Sequence, residues 1–268
     1  IQMKLTVQAR AALIGPPQPP LHLALGRARP WAEAGMGFLV LVTLGLPVTA
    51  LFGTALVVTY GLPLTPETIT LANFEEVLLR QSVTARAFLN STLAAGAAAM
   101  ALALLAVVLA RFVAGPRGPA RRTGIGIATL AETTYAMPGI IISIAFILTF
   151  LRPLPILGFS IYNTLWIIIL AYFCAFFAVA LKPTLAASQQ FDPSLDEAAQ
   201  VAGARWGLRM RRIFVPLLAP SAASGAILVF LTAYNEITVS ALLWSSGNET
   251  IGIVIYNLEH GGYTMIAA

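Results

Sequence analysis

The chain has 268 residues, 58% hydrophobic and only 10% charged, with a mean hydropathy of +0.83. Soluble domains carry about 25% charged residues, so the composition excludes that class and describes a polytopic membrane protein. The net charge of +5 does not signal nucleic acid, because the basic residues cluster between apolar runs, as topology determinants do.

Residues 1–35, with "GPPQPPLHLALGRARP", read as a Pro-rich cytoplasmic linker that carries no signal peptide. Ile1 stands where a Met would begin a protein, which reads as a cut end with more chain upstream. Residues 36–268 read as an all-α transmembrane bundle. Crossing a hydrocarbon core takes about 20 apolar residues. Five segments are long enough, near 36–59, 88–112, 125–151, 161–181 and 216–245.

After the first span, "TPETITLANFEEVLLRQS" has Phe74, Val77 and Leu78 at helical spacing and predicts a short amphipathic surface helix, with Thr70 or Asn73 as its N-cap. The third span contains Pro138-Gly139 well inside it, which predicts a kinked helix. Glu132, ahead of that kink with Thr133, Thr134 and Tyr135, reads as a wet position near the inner leaflet or, alternatively, as a substrate contact. Tyr162, Asn163 and Thr164 read as anchor and cap of the fourth span. Cys174, the sole cysteine, reads as a small core hydrophobe within that span.

Between the fourth and fifth spans, residues 183–215 form the most charged segment. Asp192 before Pro193 is a well-formed helix start, with Asp196 and Glu197 in the early turns where the helix dipole favours negative charge. Gly203 permits a sharp change of direction. The fifth span is expected to start at Pro216 and to carry Asn235 and Glu236 about two-thirds of the way along. An acid in hydrocarbon costs several kcal/mol, so Glu236 either lines a pathway or gate or caps a break in the helix. Counting Lys and Arg on alternate sides of the spans gives 13 against 3, which places the N-terminus and the charged loop in the cytoplasm. Glu259, His260 and Tyr263 fall in a Gly-rich external segment and read as surface residues, not metal ligands. A sixth helix is expected to begin near Met265.

Glu197-Ala198-Ala199, Gly203, Ile213 and Val215-Pro216 stand at the spacing of the EAA motif of ABC importer permeases, which the chain resembles; Val215 replaces the usual Leu. "LANFEEVL", "YAMPGIIISIAF", "FDPSLDEAA" and "NEITVSALLWSSGNETIGIVIYNLEHGGYT" resemble successive blocks of the C-terminal half of ferric-iron-type permeases. The resemblance implies a type I importer fold in a bacterial inner membrane. It implies that Glu197, Ala198, Ala199 and Gly203 dock an ABC ATP-binding subunit dimer, with Asp196, Arg212, Ile213 and Pro216 in the same coupling segment. It further implies a second permease half, a periplasmic or lipoprotein substrate-binding protein, and ferric iron as cargo; polyamine, thiamine and phosphonate relatives share the machinery. No G-x-x-x-x-G-K-[ST] occurs, so ATP hydrolysis is expected from a partner and no cofactor is expected on this chain. No paired-acid, Ser–His or H-E-x-x-H arrangement supports an intramembrane enzyme. A channel or membrane scaffold would need no docking loop.

Overall fold

The computed structural model describes residues 25–116, 118–153 and 158–268. Residues 1–24, most of the expected linker, lie outside the described residues. Two compact units divide the chain, residues 86–253 and residues 25–85 with 254–268, and the described chain is almost entirely helical.

In the second of these units, α1 (Gly26–Ala55) is long and apolar enough to cross a membrane. It starts earlier than the expected 36, so the end of the expected linker is helical. The reason is local: Pro30 sits in the first turn, where no N–H is needed, and Arg29 pairs with Glu33 one turn on, at 2.7 Å. A widened turn over Leu41–Gly45, closed by the Leu46 N–H on the Leu41 carbonyl, absorbs Pro47, which lacks an N–H and crowds the carbonyl of the preceding turn. The expected surface helix is α2, residues 72–80. Thr70 Oγ1 accepts the Ala72 N–H, while the Asn73 amide donates to the carbonyls of Ala55 and Val57, both at 2.9 Å. The N-cap position is Leu71, so neither expected residue occupies it: Thr70 precedes the cap, and Asn73 fastens the helix to the end of α1.

The unit of residues 86–253 is built around α3 (Ser82–Ala114), α4 (Pro119–Tyr135), α5 (Gly139–Phe150), α6 (Leu165–Gln189) and α8 (Trp206–Tyr234), with α7 (Pro193–Val201) between the last two. Three of these helices, α3, α6 and α8, are long and apolar enough to span. Lipid offers apolar surface as readily as a neighbouring helix does, so close backbone packing has to hold the bundle. The sequence supplies it: Ala94, Ala95, Ala98, Ala99, Leu102 and Ala106 make a small-residue stripe on α3 that is buried with Ile168, Ala171, Tyr172 and Ala175 of α6. Gly225 of α8 lies so close to α6 that a Cβ would come within 2.7 Å of the Ala180 carbonyl oxygen.

Three expectations about this unit are corrected. The third span is not one kinked helix: α4 and α5 are separate and meet at 110°, with Pro138 in extended conformation between them. The fourth span runs to Gln189 and contains Pro183, which shortens the expected 183–215 loop to about 190–205. The fifth span starts at Trp206, because a second widened turn, Met210–Phe214, accommodates Pro216 as the first does Pro47. It ends at Tyr234, so Asn235 and Glu236 follow the helix instead of lying inside it. Beyond it come α9 (Ser240–Leu243), α10 (Ile251–His260) and α11 (Thr264–Ala267). The stretch expected to be a polar external segment is therefore largely helical. Cys174 is exposed on the outer side of α6, not in the core.

Candidate functional site

The charged loop folds as its local sequence dictates. Asp192 Oδ1 accepts the Ser194 N–H at 2.9 Å, and Pro193 occupies the first turn of α7. These hydrogen bonds from Ser194 hold the Asp192 carboxyl below the usual aspartate range. At the other end the Gly203 N–H reaches the Gln200 carbonyl and the Ala204 N–H the Ala199 carbonyl, each at 2.9 Å. This pair of bonds is a Schellman ending with Gly203 in the left-handed position, φ +78°. The glycine of the motif is thus needed for its backbone, since open space surrounds the place where its Cβ would be.

Between these ends Glu197 and Ala198 are exposed, Ala199 is half-buried and Val201 is 92% exposed. Among the described residues Glu197 has neither an ion pair nor a hydrogen bond. Arg212 is exposed, Ile213 half-buried and Pro216 exposed. The motif residues therefore divide: Glu197 and Ala198 face outward, while Gly203 and Pro216 shape the backbone; Arg212, outside the motif, is also exposed.

Asp196 points the other way. Its Oδ2 is 2.7 Å from Arg111 Nη2 at the end of α3, and its Oδ1 is 2.5 Å from Arg209 Nη1 in the first turn of α8. Gln200 donates to the same carboxylate at 3.2 Å. Both arginines are 13% exposed and Asp196 17%, and Arg111 lies over the Phe214 ring at 4.4 Å. Sequence reasoning placed Asp196 in the docking segment and missed both partners. No spacing rule connects Arg111 to Asp196, which are brought together only by the packing of α3 beside α8.

The two candidate positions in the membrane also meet. Glu236 Oε1 accepts from the Val239 N–H at 2.9 Å and from Thr238 Oγ1, so the carboxylate caps the turn that opens α9. Gly139, at the start of α5, lies against this turn: a Cβ there would collide with Thr238 and come within 3.0 Å of Val239 Cγ2. Ser143, one turn further along α5, donates to the Val239 carbonyl at 2.7 Å in a fully buried position. Ser240 donates to the Glu236 carbonyl at 2.9 Å and is fully buried. The break at Pro138-Gly139 and the break at Asn235-Glu236 therefore form one junction. Asn235 stays exposed, its amide donating to the Leu231 carbonyl at 2.9 Å.

Elsewhere, Glu132 of α4 pairs with Lys182 of α6 at 3.2 Å, and Lys182 Nζ sits 5.2 Å from the Tyr135 ring centre. Asn163 adopts φ +63°, and its carbonyl accepts from Asn248 at 2.8 Å and from Ser245 at 3.2 Å. His260 is exposed, its Nδ1 3.0 Å from the Tyr256 carbonyl oxygen. Among the described residues no three His, Cys, Asp or Glu side chains come together as a metal site.

Comparison with known proteins gives this arrangement a context. The model of the binding-protein-dependent transport system inner membrane component family matches residues 104–265, which include the loop, the Asp196 ion pairs and the junction. A putative ABC transporter permease protein, ORF1 of Streptomyces antibioticus, is 30% identical over 191 residues, 71% of this chain and 79% of its own. The Fe(3+)-transport system permease protein FbpB 2 of Haemophilus influenzae is 26% identical over 144 residues, 54% of this chain. The putrescine transport system permease protein PotI of Escherichia coli is 26% identical over 167 residues, 61% of this chain. The chain spans 27% of the length of the iron-transport relative and 56% of the putrescine one. In fold, a bacterial ABC transporter involved in import of the acidic polysaccharide alginate superposes with TM-score 0.65 at 20% identity, over 89% of this chain and 88% of that one.

Proposed function

The chain belongs to the family of binding-protein-dependent transport system inner membrane components, and on that premise we propose that it is the permease part of an ATP-driven importer whose α7 docks an ATP-binding subunit. The observation that carries this reading is the outward face of α7: Glu197, an acid with no ion pair among the described residues, stands beside the bare Ala198 on a helix fixed at both ends. A helix with one small-residue face and a free charge suits insertion into a partner's groove. Rigid-body movement of that partner on ATP binding would then reach the spans through the loop. In this reading the loop and the N-terminus are cytoplasmic in a bacterial inner membrane, a homologous second half completes the pathway, and a binding protein delivers cargo from the far side.

Ferric iron is the proposed cargo, supported by the iron-transport relative. The putrescine relative, which matches more of this chain, makes a polyamine the second reading. The test uses the complete permease with its ATP-binding subunit in liposomes and measures ATP hydrolysis with and without ferric-iron-loaded binding protein. Stimulation that disappears in Glu197→Lys is expected. Stimulation by polyamine-loaded protein alone replaces the cargo, and an unaffected Glu197→Lys overturns the docking role.

A further inference from the structure

We propose that Asp196 is a positioning residue, which ties the docking helix to the transmembrane bundle by holding Arg111 of α3 and Arg209 of α8 in one ion-pair node. The proposal rests on the reading of α7 as the docking helix and says how that helix is made to move with the spans.

Short contacts alone would not carry this. Adjacent acids on α7 have opposite fates: Glu197 is exposed and unpaired among the described residues, while Asp196 turns inward to two guanidinium groups at 2.7 and 2.5 Å. One side of the helix is left for a partner and the other is fastened to the protein. The fastening is selective, because Arg111 closes α3 and Arg209 opens α8, so a single carboxylate on the loop between α6 and α8 bridges α3 and α8. The node is also costly. Two arginines share one carboxylate, and the Nε atoms of both are buried without a hydrogen-bond acceptor among the described residues. Unsatisfied buried donors destabilise a fold, and a buried ion pair is often no more stabilising than apolar side chains of similar volume. What apolar packing does not supply is direction: a bidentate carboxylate between two rigid groups fixes the angle of α7 against both helices.

Arg111 also stacks over Phe214, which lies with Met210 and Leu218 in the buried cluster joining α8 to Val107 and Ala110 of α3. A push on α7 thus reaches the charged node and the apolar contact beneath it together, with no flexible segment between. The remainder of the loop lacks this rigidity: Gly203 and Arg205 leave helical geometry on the way to α8.

The test uses the complete transporter with its ATP-binding subunit in lipid nanodiscs, carrying spin labels at two exposed positions, Val201 of α7 and Ile227 of α8. The expected wild-type result is one narrow distance that is the same without nucleotide and after trapping with ATP and vanadate, since the two helices move as a body. In Asp196→Asn the distribution is expected to broaden and to shift on trapping, as α7 follows the ATP-binding subunit without α8. Asp196→Glu, which keeps the charge, is expected to restore the narrow distance, an outcome that a role in folding alone does not produce. A narrow, nucleotide-independent distance in Asp196→Asn overturns the proposal. The docking reading is judged separately by recruitment of the ATP-binding subunit to Glu197→Lys. If that variant recruits it as wild type does, the docking role falls, and the distances measured without nucleotide still decide whether Asp196 holds α7.

Discussion

Two glycines, Gly139 and Gly203, are required for opposite reasons, and the difference is measurable. At Gly203 nothing crowds a Cβ, but φ +78° lies in the left-handed region, which costs an L-residue about 1–2 kcal/mol. Gly203→Ala is therefore expected to fray the end of α7 with little change elsewhere, seen as faster amide exchange confined to residues 199–204. At Gly139 the backbone is ordinary and space is the constraint, because Thr238 and Val239 occupy the place of a Cβ. Gly139→Ala is expected to destabilise the α5–α9 junction by about 1–3 kcal/mol, as overpacking does, read as a lowered Tm. Glu236 separates the same two kinds of cause. A Gln there keeps an oxygen that accepts the Val239 N–H, whereas a Leu removes it. Glu236→Gln is expected to preserve Tm while Glu236→Leu lowers it, and transport unchanged in Glu236→Gln would leave the carboxylate as a cap with no role in the pathway. At Asp192 the shift is electrostatic: its folded pKa is depressed by Ser194. Its contribution to α7 is therefore complete above the unfolded aspartate value and lost as pH falls through the lower folded one. The check is an NMR titration of that carboxyl, expected to fall below the ordinary aspartate range.

Elements were legible in the sequence where the cause is local and illegible where it is not. The start of α7 follows from Asp192-Pro193 and its end from Gly203, each within a few residues of its effect. Proline was read less well, because the same residue has three outcomes here. Pro183 and Pro220 sit inside helices that continue through them; Pro47 and Pro216 follow widened turns that keep the helix going; Pro138 separates two helices at 110°. What distinguishes Pro138 is its setting. Gly139 follows it, Ser143 of α5 donates to the Val239 carbonyl, and the break is packed against Thr238 and Val239. Those partners lie about a hundred positions away, beyond any local pattern. The same reason hid Arg111 and Arg209 from the reading of Asp196. For Pro216 the expected outcome is direct: Pro216→Ala returns a backbone N–H to α8 and lets the widened turn close. Helical rotation of residues 206–213 relative to the rest of α8 should follow, with loss of the 2.5 Å Arg209–Asp196 contact, measurable as a changed spin-label distance from Val201 to Ile227.

At the scale of the whole chain, the Asp196 node decides how the bent pair α4–α5 lies in the membrane. By length and composition the pair is either a broken span or a re-entrant loop. Both α3 and α6 are full-length apolar helices. Arg111 is in the last turn of α3, and Asp196 follows the end of α6 by one short loop, yet the two are 2.7 Å apart. The two helices therefore finish on the same side, and both cross in the same direction. The chain between them has to return to the opposite side, which a re-entrant loop cannot do. Within the described residues of the 86–253 unit, α3, α4–α5, α6 and α8 therefore alternate in direction, and the arginines at residues 121, 122, 205, 211 and 212 share one face. The excess of positive charge predicts that this face is the cytoplasmic one. The experiment is accessibility of single cysteines to a membrane-impermeant thiol reagent, on a chain whose Cys174 is replaced by alanine. Tyr60, Phe159 and Ser246, all exposed, are expected to react from outside the cell, and Arg122 and Val201 only after permeabilisation. Phe159 is the deciding position. If it labels with Val201, the pair does not cross, α3 and α6 run in opposite directions, and the contact between Arg111 and Asp196 has no place in the membrane-embedded protein.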